Sequence, residues 1–262
     1  MHQLASSPDP TMGPAGPGAE PCEYLEWDST FFGFRIARVR STRLDRALAD
    51  AVMTWCAERQ IRCLYLLADA QDPTTASLAD ASGFRFVDVR ATFGWHSGRT
   101  HAAGPRETAG FSIRGARADD IPALRAIARA NYRATRFRFD PGFPEARVDA
   151  LYETWAEKSC QGHADAVLVA ESDEGPCGYV SCHMEGARAG RLGLVGVREG
   201  AQGRGVGRAL VESALAWFDA RGVERVRVVT QGRNIAAQRL YERCGFLLEA
   251  ADVWYHRWFG VV

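Results

Sequence analysis

The hexapeptide Gln202-Gly203-Arg204-Gly205-Val206-Gly207 constrains this chain more than any other segment. An apolar run, Leu192-Gly193-Leu194-Val195-Gly196-Val197, precedes it and reads as a buried strand. A periodic stretch follows, with Val206, Leu210, Ala214 and Trp217 on one helical face and Arg204, Arg208 and Glu212 on another. Strand, glycine loop and helix in that order suit a pyrophosphate. The first N–H groups of a helix lack intrahelical partners, and the macrodipole adds partial positive charge beside them. Glycines leave no Cβ between phosphate oxygens and the backbone. The competing reading is a plain surface loop that starts a helix. A Walker loop is excluded because Gly-Lys-Ser/Thr is absent, and the G-x-G-x-x-G dinucleotide spacing is not matched.

Downstream, Val226–Val229 reads as a strand and a helix follows from Asn234 through Ile235, Ala237, Leu240, Tyr241 and Cys244. Gly245 suits its C-terminal cap. A last strand region runs from Phe246 to near Trp258. Asn234 and Tyr241 lie two helical turns apart and so nearly share a face. Asn234 also suits a helix N-cap, and Tyr241 can equally be a half-buried packing residue.

Together, Gln-x-x-Gly-x-Gly at 202–207, Asn234 with Tyr241, and Gly245-Phe246 resemble the GNAT superfamily of acetyl-CoA-dependent N-acetyltransferases, from about Phe111 onward. The resemblance implies an α/β chain with the GNAT fold, a mixed central sheet flanked by helices. It implies acetyl-CoA as co-substrate and no metal. The pyrophosphate is expected on the backbone of Gln202, Gly203, Arg204, Gly205, Val206, Gly207 and Arg208, near Asn234. The pantetheine arm is expected to pair with Val195, Gly196 and Val197, with a backbone N–H near Val197 stabilising the thioester oxygen. Tyr241, with an ordinary pKa of about 10, is expected to protonate the departing thiolate. For the general base, His183 and Glu185 are candidates on a strand over Tyr179–Glu185, where alternation puts them on one face. Ordinary cleft polarity or relay through ordered water are the alternatives.

The first part of the chain carries a second, shorter pattern. Helical periodicity over about 43–59, a buried strand at Cys63–Leu67, a short helix at 74–82 and a strand at Phe84–Phe93 repeat the later order. Ser82-Gly83-Phe84 matches Cys244-Gly245-Phe246, which sets Ala79 against Tyr241 and Asp72 against Asn234. No glycine loop accompanies this copy. The expected organisation is a disordered tail over 1–21, a partial GNAT-like module over 22–96, a polar linker over 97–110 and a catalytic domain over 111–262. The partial module is expected to lack cofactor chemistry and to shape the acceptor cleft.

Two further blocks narrow the resemblance: Trp27-Asp28-Ser29-Thr30-Phe31-Phe32-Gly33, and Thr135 to Pro144 followed by Leu151-Tyr152, Trp155 and Ser159. They are similar to superfamily members that acetylate the 4-amine of dTDP-linked 4-amino-4,6-dideoxy sugars. That implies a small-molecule acceptor, a nucleotide sugar, with Arg136, Phe137, Asp140, His183 and Glu185 as candidate substrate residues. Arg136 suits a diphosphate as a charge-assisted donor and Phe137 an apolar wall. The alternative is a lid packed for its own stability, and Trp155 is expected to face the core. Other small amines, aminoglycosides, polyamines or protein N-termini remain alternative acceptors. A non-catalytic acyl-CoA-binding module is disfavoured by the retained Tyr241.

The formal net charge is zero, so no nucleic-acid footprint is expected. No run is long and apolar enough for a membrane helix. Seven scattered cysteines without a CxxC pair read as packing residues in a cytoplasmic protein. Residues 1–20, rich in Pro, Gly, Ala and Ser, read as disordered and not as a signal peptide. The resemblance admits a homodimer.

Overall fold

The final strand of each half of this chain is inserted into the sheet of the other. The computed structural model describes residues 20–98 and 110–260. The expected tail and linker therefore lie mostly outside the described residues. Glu20 and Pro21 already belong to the fold: Glu20 accepts from Trp55 Nε1 at 3.0 Å and from Arg59 at 2.6 Å.

The first half contains β1 (Cys22–Tyr24), α1 (Glu26–Phe32), β2 (Ile36–Val39), α2 (Arg46–Glu58), β3 (Cys63–Asp69), α3 (Pro73–Ala81) and β4 (Arg85–His96). The second contains β5 (Ser112–Gly115), α4 (Ile121–Asn131), α5 (Glu145–Lys158), β6 (Ala166–Ser172), β7 (Gly175–Met184) and β8 (Ala189–Val197). It ends with α6 (Val206–Asp219), β9 (Arg225–Gln231), α7 (Ile235–Arg243) and β10 (Leu247–Trp258).

All the strands form one 10-stranded sheet in the order β1-β2-β3-β10-β4-β9-β8-β7-β6-β5. It is mixed: β2–β3 and β8–β9 pair parallel, and the other neighbours antiparallel. β10 lies between β3 and β4, and β4 lies between β10 and β9. The expected boundary between the partial module and the catalytic half is thus crossed twice by strand pairing. Side-chain alternation places α2, α3, α6 and α7 over one face, and α1, α4 and α5 over the other.

The internal repeat is visible in the caps. Asn234 Oδ1 accepts from Ala237 N at the start of α7, and Asp72 caps α3 through Thr74 N. Phe246 N donates to Tyr241 O at 3.0 Å, and Phe84 N to Ala79 O at 2.9 Å. Where the second copy has its glycine loop, the first is closed by its own side chains. Asp45 caps α2, and the Thr75 hydroxyl accepts from Leu44 N at 2.7 Å.

Helix α6 departs from its expected pattern in two places. Glu212, expected on the polar face, is buried and takes Arg208 Nε at 2.7 Å one turn earlier. Phe218, not Trp217, is the fully buried aromatic. The cysteines are free thiols, and all but Cys160 are buried. Burial pushes the Cys182 and Cys244 thiols up to about 12, which leaves them unreactive packing groups.

Candidate active site

A β-bulge opens the sheet at the centre of the second half. Between the pairs Val180↔Val195 and Cys182↔Leu192, strand β8 carries one residue more than β7. Ser181 sits opposite the extra residue, and its hydroxyl accepts from Leu194 N at 2.8 Å. Only glycine fits at 193, because a Cβ there would stand 2.5 Å from both Ser181 Oγ and His183 Nε2. The bend ends the β8–β9 pairing at Leu192↔Val228. Beyond that point β9 continues to pair with β4 on its other edge, through Thr92↔Val229 to Arg90↔Gln231. A wedge-shaped notch results.

The backbone lining the notch is assigned by ladder alternation. Arg198 N donates to Cys177 O across β7 at 2.8 Å. In an antiparallel ladder, successive residues turn their polar groups to opposite sides. Gly196 therefore faces β7, whereas Val195 and Val197 face the notch. Tyr132 Oη donates to Val195 O at 2.9 Å, and Gln202 Nε2 donates to Val197 O at 3.1 Å. Strand edges of this kind take extended amide ligands, so the backbone suits the pantetheine arm. The loop at 202–205 leads into α6, whose N-cap Gly205 is left-handed at φ +85°. Gln202, Gly203, Arg204 and Gly205 are exposed there, with Arg208 one turn into the helix. That suits a pyrophosphate.

The notch widens into a cleft with a cavity volume of about 100 Å³. Asn234, Ala237 and Tyr241 of α7 line one side, and Tyr132, Tyr152 and Trp155 another. Tyr241 is buried against Phe93 and Phe246, with ring centroids at 6.1 and 5.8 Å. Its hydroxyl has no hydrogen-bond partner among the described residues. Burial raises its pKa, so it is protonated at neutral pH, the state a proton donor requires. Trp155, expected in the core, is only partly buried and lines the cleft.

Arg136 also reaches the cleft. Its guanidinium lies 4.1 Å from the Trp254 ring centroid, 4.3 Å from Phe137 and 5.1 Å from Tyr65. It forms no ion pair among the described residues, and its buried Nε has no hydrogen-bond partner. Phe137 touches the cleft but is mainly a core residue, packed on Phe32 and Phe143.

The carboxylate of the cleft is Asp88, on β4 of the first half. In the sequence it belongs to an alternating run and carries no motif. It is buried, accepts from Val89 N at 2.9 Å and lies 3.3 Å from Arg233 Nε. Burial raises its pKa, opposed by Arg233 and Arg136.

Three expected substrate residues lie elsewhere. Asp140 is buried between β10 partners: His256 Nδ1 is 2.6 Å from Oδ2, and Trp258 Nε1 donates at 2.9 Å. It anchors the α4–α5 connection instead of facing an acceptor. Glu185 follows β7 and accepts from Arg191 Nε at 2.9 Å. His183 is buried behind Gly193, with Nε2 3.3 Å from Ser181 Oγ.

Burial holds His183 neutral, with its pKa lowered to about 4, and burial also lowers His256. Unfolded histidines titrate near 6.5. Depressed folded values mean that stability is complete above about pH 6.5 and is lost as pH falls toward about 4, by roughly 1.4 kcal/mol per pH unit for each histidine. Urea midpoints are expected to hold steady from about pH 8 to 7 and then to decline. His183→Gln flattens that decline; an equal slope in the variant removes His183 from the account.

An unpaired strand edge, a helix N-terminus at its end and a protonated tyrosine on α7 suit acyl transfer. The family described as "Acetyltransferase (GNAT) family" matches residues 124–246. Over 238 residues the chain is 32% identical to a dTDP-fucosamine acetyltransferase of Escherichia coli O6:H1, covering 90% of this chain and 97% of that protein. A mycothiol acetyltransferase of Beutenbergia cavernae is 33% identical over 204 residues, covering 70% of this chain and 63% of that one. Among solved structures, a GCN5-related N-acetyltransferase from Sphaerobacter thermophilus superposes with a TM-score of 0.66 at 18% identity, covering 92% of this chain and 77% of that one. The chain belongs to the GNAT family of N-acetyltransferases.

Proposed function

We propose that this acyltransferase moves an acetyl group from acetyl-CoA to the amine of a nucleotide-linked amino sugar. The supporting observation is the relationship to the dTDP-fucosamine acetyltransferase across both halves, 90% of this chain. It includes the first half, which contributes Asp88 to the cleft.

In this reading the backbone N–H groups of 202–208 bind the pyrophosphate, and Val195 and Val197 align the pantetheine arm. Acetyl-CoA supplies the activated acyl group. Asp88 accepts the proton that the acceptor ammonium must lose before its nitrogen can attack. As the N–C bond forms and the C–S bond breaks, a notch-facing N–H of β8 stabilises the oxygen and Tyr241 protonates the thiolate. Arg136 is one cationic partner for the acceptor's anionic diphosphate and leaves room for a second.

Tyr241→Phe keeps the ring and removes the acid. Its kcat is expected to fall by about 10²-fold, the low end for a positioned acid, because a thiolate is already a fair leaving group. Acetyl-CoA Kd stays near the parent value, since the hydroxyl acts as charge develops on sulfur. A variant within about twofold of the parent, with chemistry rate-limiting, makes Tyr241 a packing residue.

The reading itself is tested by an acceptor screen with CoA release as readout, containing dTDP-linked amino sugars, free amino sugars, aminoglycosides and polyamines. The name of the Beutenbergia relative gives it a mycothiol-type arm. Turnover confined to acceptors without a nucleotide overturns the reading.

A further inference from the structure

Of the 32 lysines and arginines in this chain, only Lys158 is lysine. It ends α5, one turn beyond Trp155 on the cleft wall. Its ammonium lies 4.6 Å from the centroid of Trp27, the first aromatic of the Trp-Asp-Ser-Thr-Phe-Phe-Gly block. Trp27 is fixed in turn: Phe31 stacks on it at 4.9 Å, and Trp155 packs at 6.0 Å. Ser29 secures the helix that carries it, donating to Leu25 O at 2.7 Å and accepting from Ile36 N at 2.9 Å.

Among the described residues the ammonium has no anionic partner. The acids nearest in sequence are already engaged, since Glu153 pairs with Arg125 and Arg129, and Glu157 pairs with Arg125. No ion pair or hydrogen bond from the Lys158 side chain forms among the described residues. A contact with an indole face leaves its N–H donors available to oxygen ligands. Partial burial disfavours its charge, and its proximity, after burial and Arg191, helps to hold His163 neutral. An arginine would lie flat on the ring; a compact ammonium on a flexible stem presents its charge as a point, which suits phosphate oxygens.

We propose that Lys158, held on Trp27 beside the cleft-lining Trp155, binds the diphosphate of the acceptor. This rests on the nucleotide-sugar reading above and adds to it: the diphosphate lies outward from Asp88, along the wall formed by Tyr152 and Trp155. The Trp27 block of the first half then acts as a positioning element for a specificity residue of the second.

A lone lysine makes the test direct. Reductive methylation with formaldehyde and cyanoborohydride modifies Lys158 and the N-terminus, and peptide mass spectrometry separates them. With saturating CoA present throughout, added thymidine diphosphate is expected to slow Lys158 methylation about tenfold, while CoA alone does not protect it. Lys158→Gln is expected to shift the ratio of KM for a nucleotide-linked sugar to KM for the free sugar about tenfold. Lys158→Arg recovers part of that shift, and the acetyl-CoA KM moves far less. Equal methylation with and without thymidine diphosphate overturns the proposal, as does an unchanged KM ratio in folded Lys158→Gln. If the parent turns over no nucleotide sugar, the nucleotide-sugar reading fails, and protection of Lys158 still decides whether it binds a diphosphate.

Discussion

Asp88→Asn is expected to lower kcat/KM for the acceptor by about 10²- to 10⁴-fold, the usual loss for a positioned base. Asparagine keeps the shape and the contact with Val89 N but cannot accept a proton from an ammonium. In the parent, burial raises the Asp88 pKa. Activity needs its ionised form, so kcat/KM should decline as pH falls through that raised value, above the ordinary aspartate range near 3.9. The variant should lose this acid limb. Acetyl-CoA Kd should hold, because the proposed cofactor contacts belong to β8 and α6. A variant with parental rate and parental pH profile passes the base role to solvent.

Gly205→Asp should weaken acetyl-CoA binding by about 10²-fold or more, through like-charge repulsion at close range. Gly205 is the N-cap of α6 at φ +85°. Aspartate is among the residues that enter this conformation most readily and is a favourable cap, so the helix should persist. Gly205→Asn supplies the same bulk without the charge and should weaken binding much less. Isothermal titration of both variants with acetyl-CoA separates the contributions. Unchanged affinity in a folded Gly205→Asp variant removes the pyrophosphate from this loop.

What the sequence disclosed was local. A strand, a glycine loop and a helix were legible because their signals span few residues. The same holds for the caps at Asn234 and Gly245 and for the repeated Gly-Phe. Asp88 was hidden for a different reason. It sits among alternating polar and apolar residues, Val87-Asp88-Val89-Arg90-Ala91, which read as an ordinary half-exposed strand. Only the placement of β4 beside β9 turns that polar face into the cleft. His183 keeps the face that alternation gives it, with Ser181, but the space left by Gly193 lets the imidazole pack there and be buried, which no local pattern in β7 shows. Asp140 looked available because its partner, His256, is 116 residues away in sequence. Glu212 looked solvated because helical periodicity does not show a salt bridge that lets a carboxylate be buried.

The exchange of β4 and β10 makes the cleft a joint property of the two halves. The half without a glycine loop contributes Asp88, and the half with the loop contributes the β8 edge and Tyr241. Neither half alone encloses this cleft. In the proposed reading, changes along Trp27, Asp88 and their neighbours retune which amine is accepted, while β8 and α6 keep the acyl donor in place. A half without a cofactor loop of its own is thereby free to serve as the variable wall of a shared cleft.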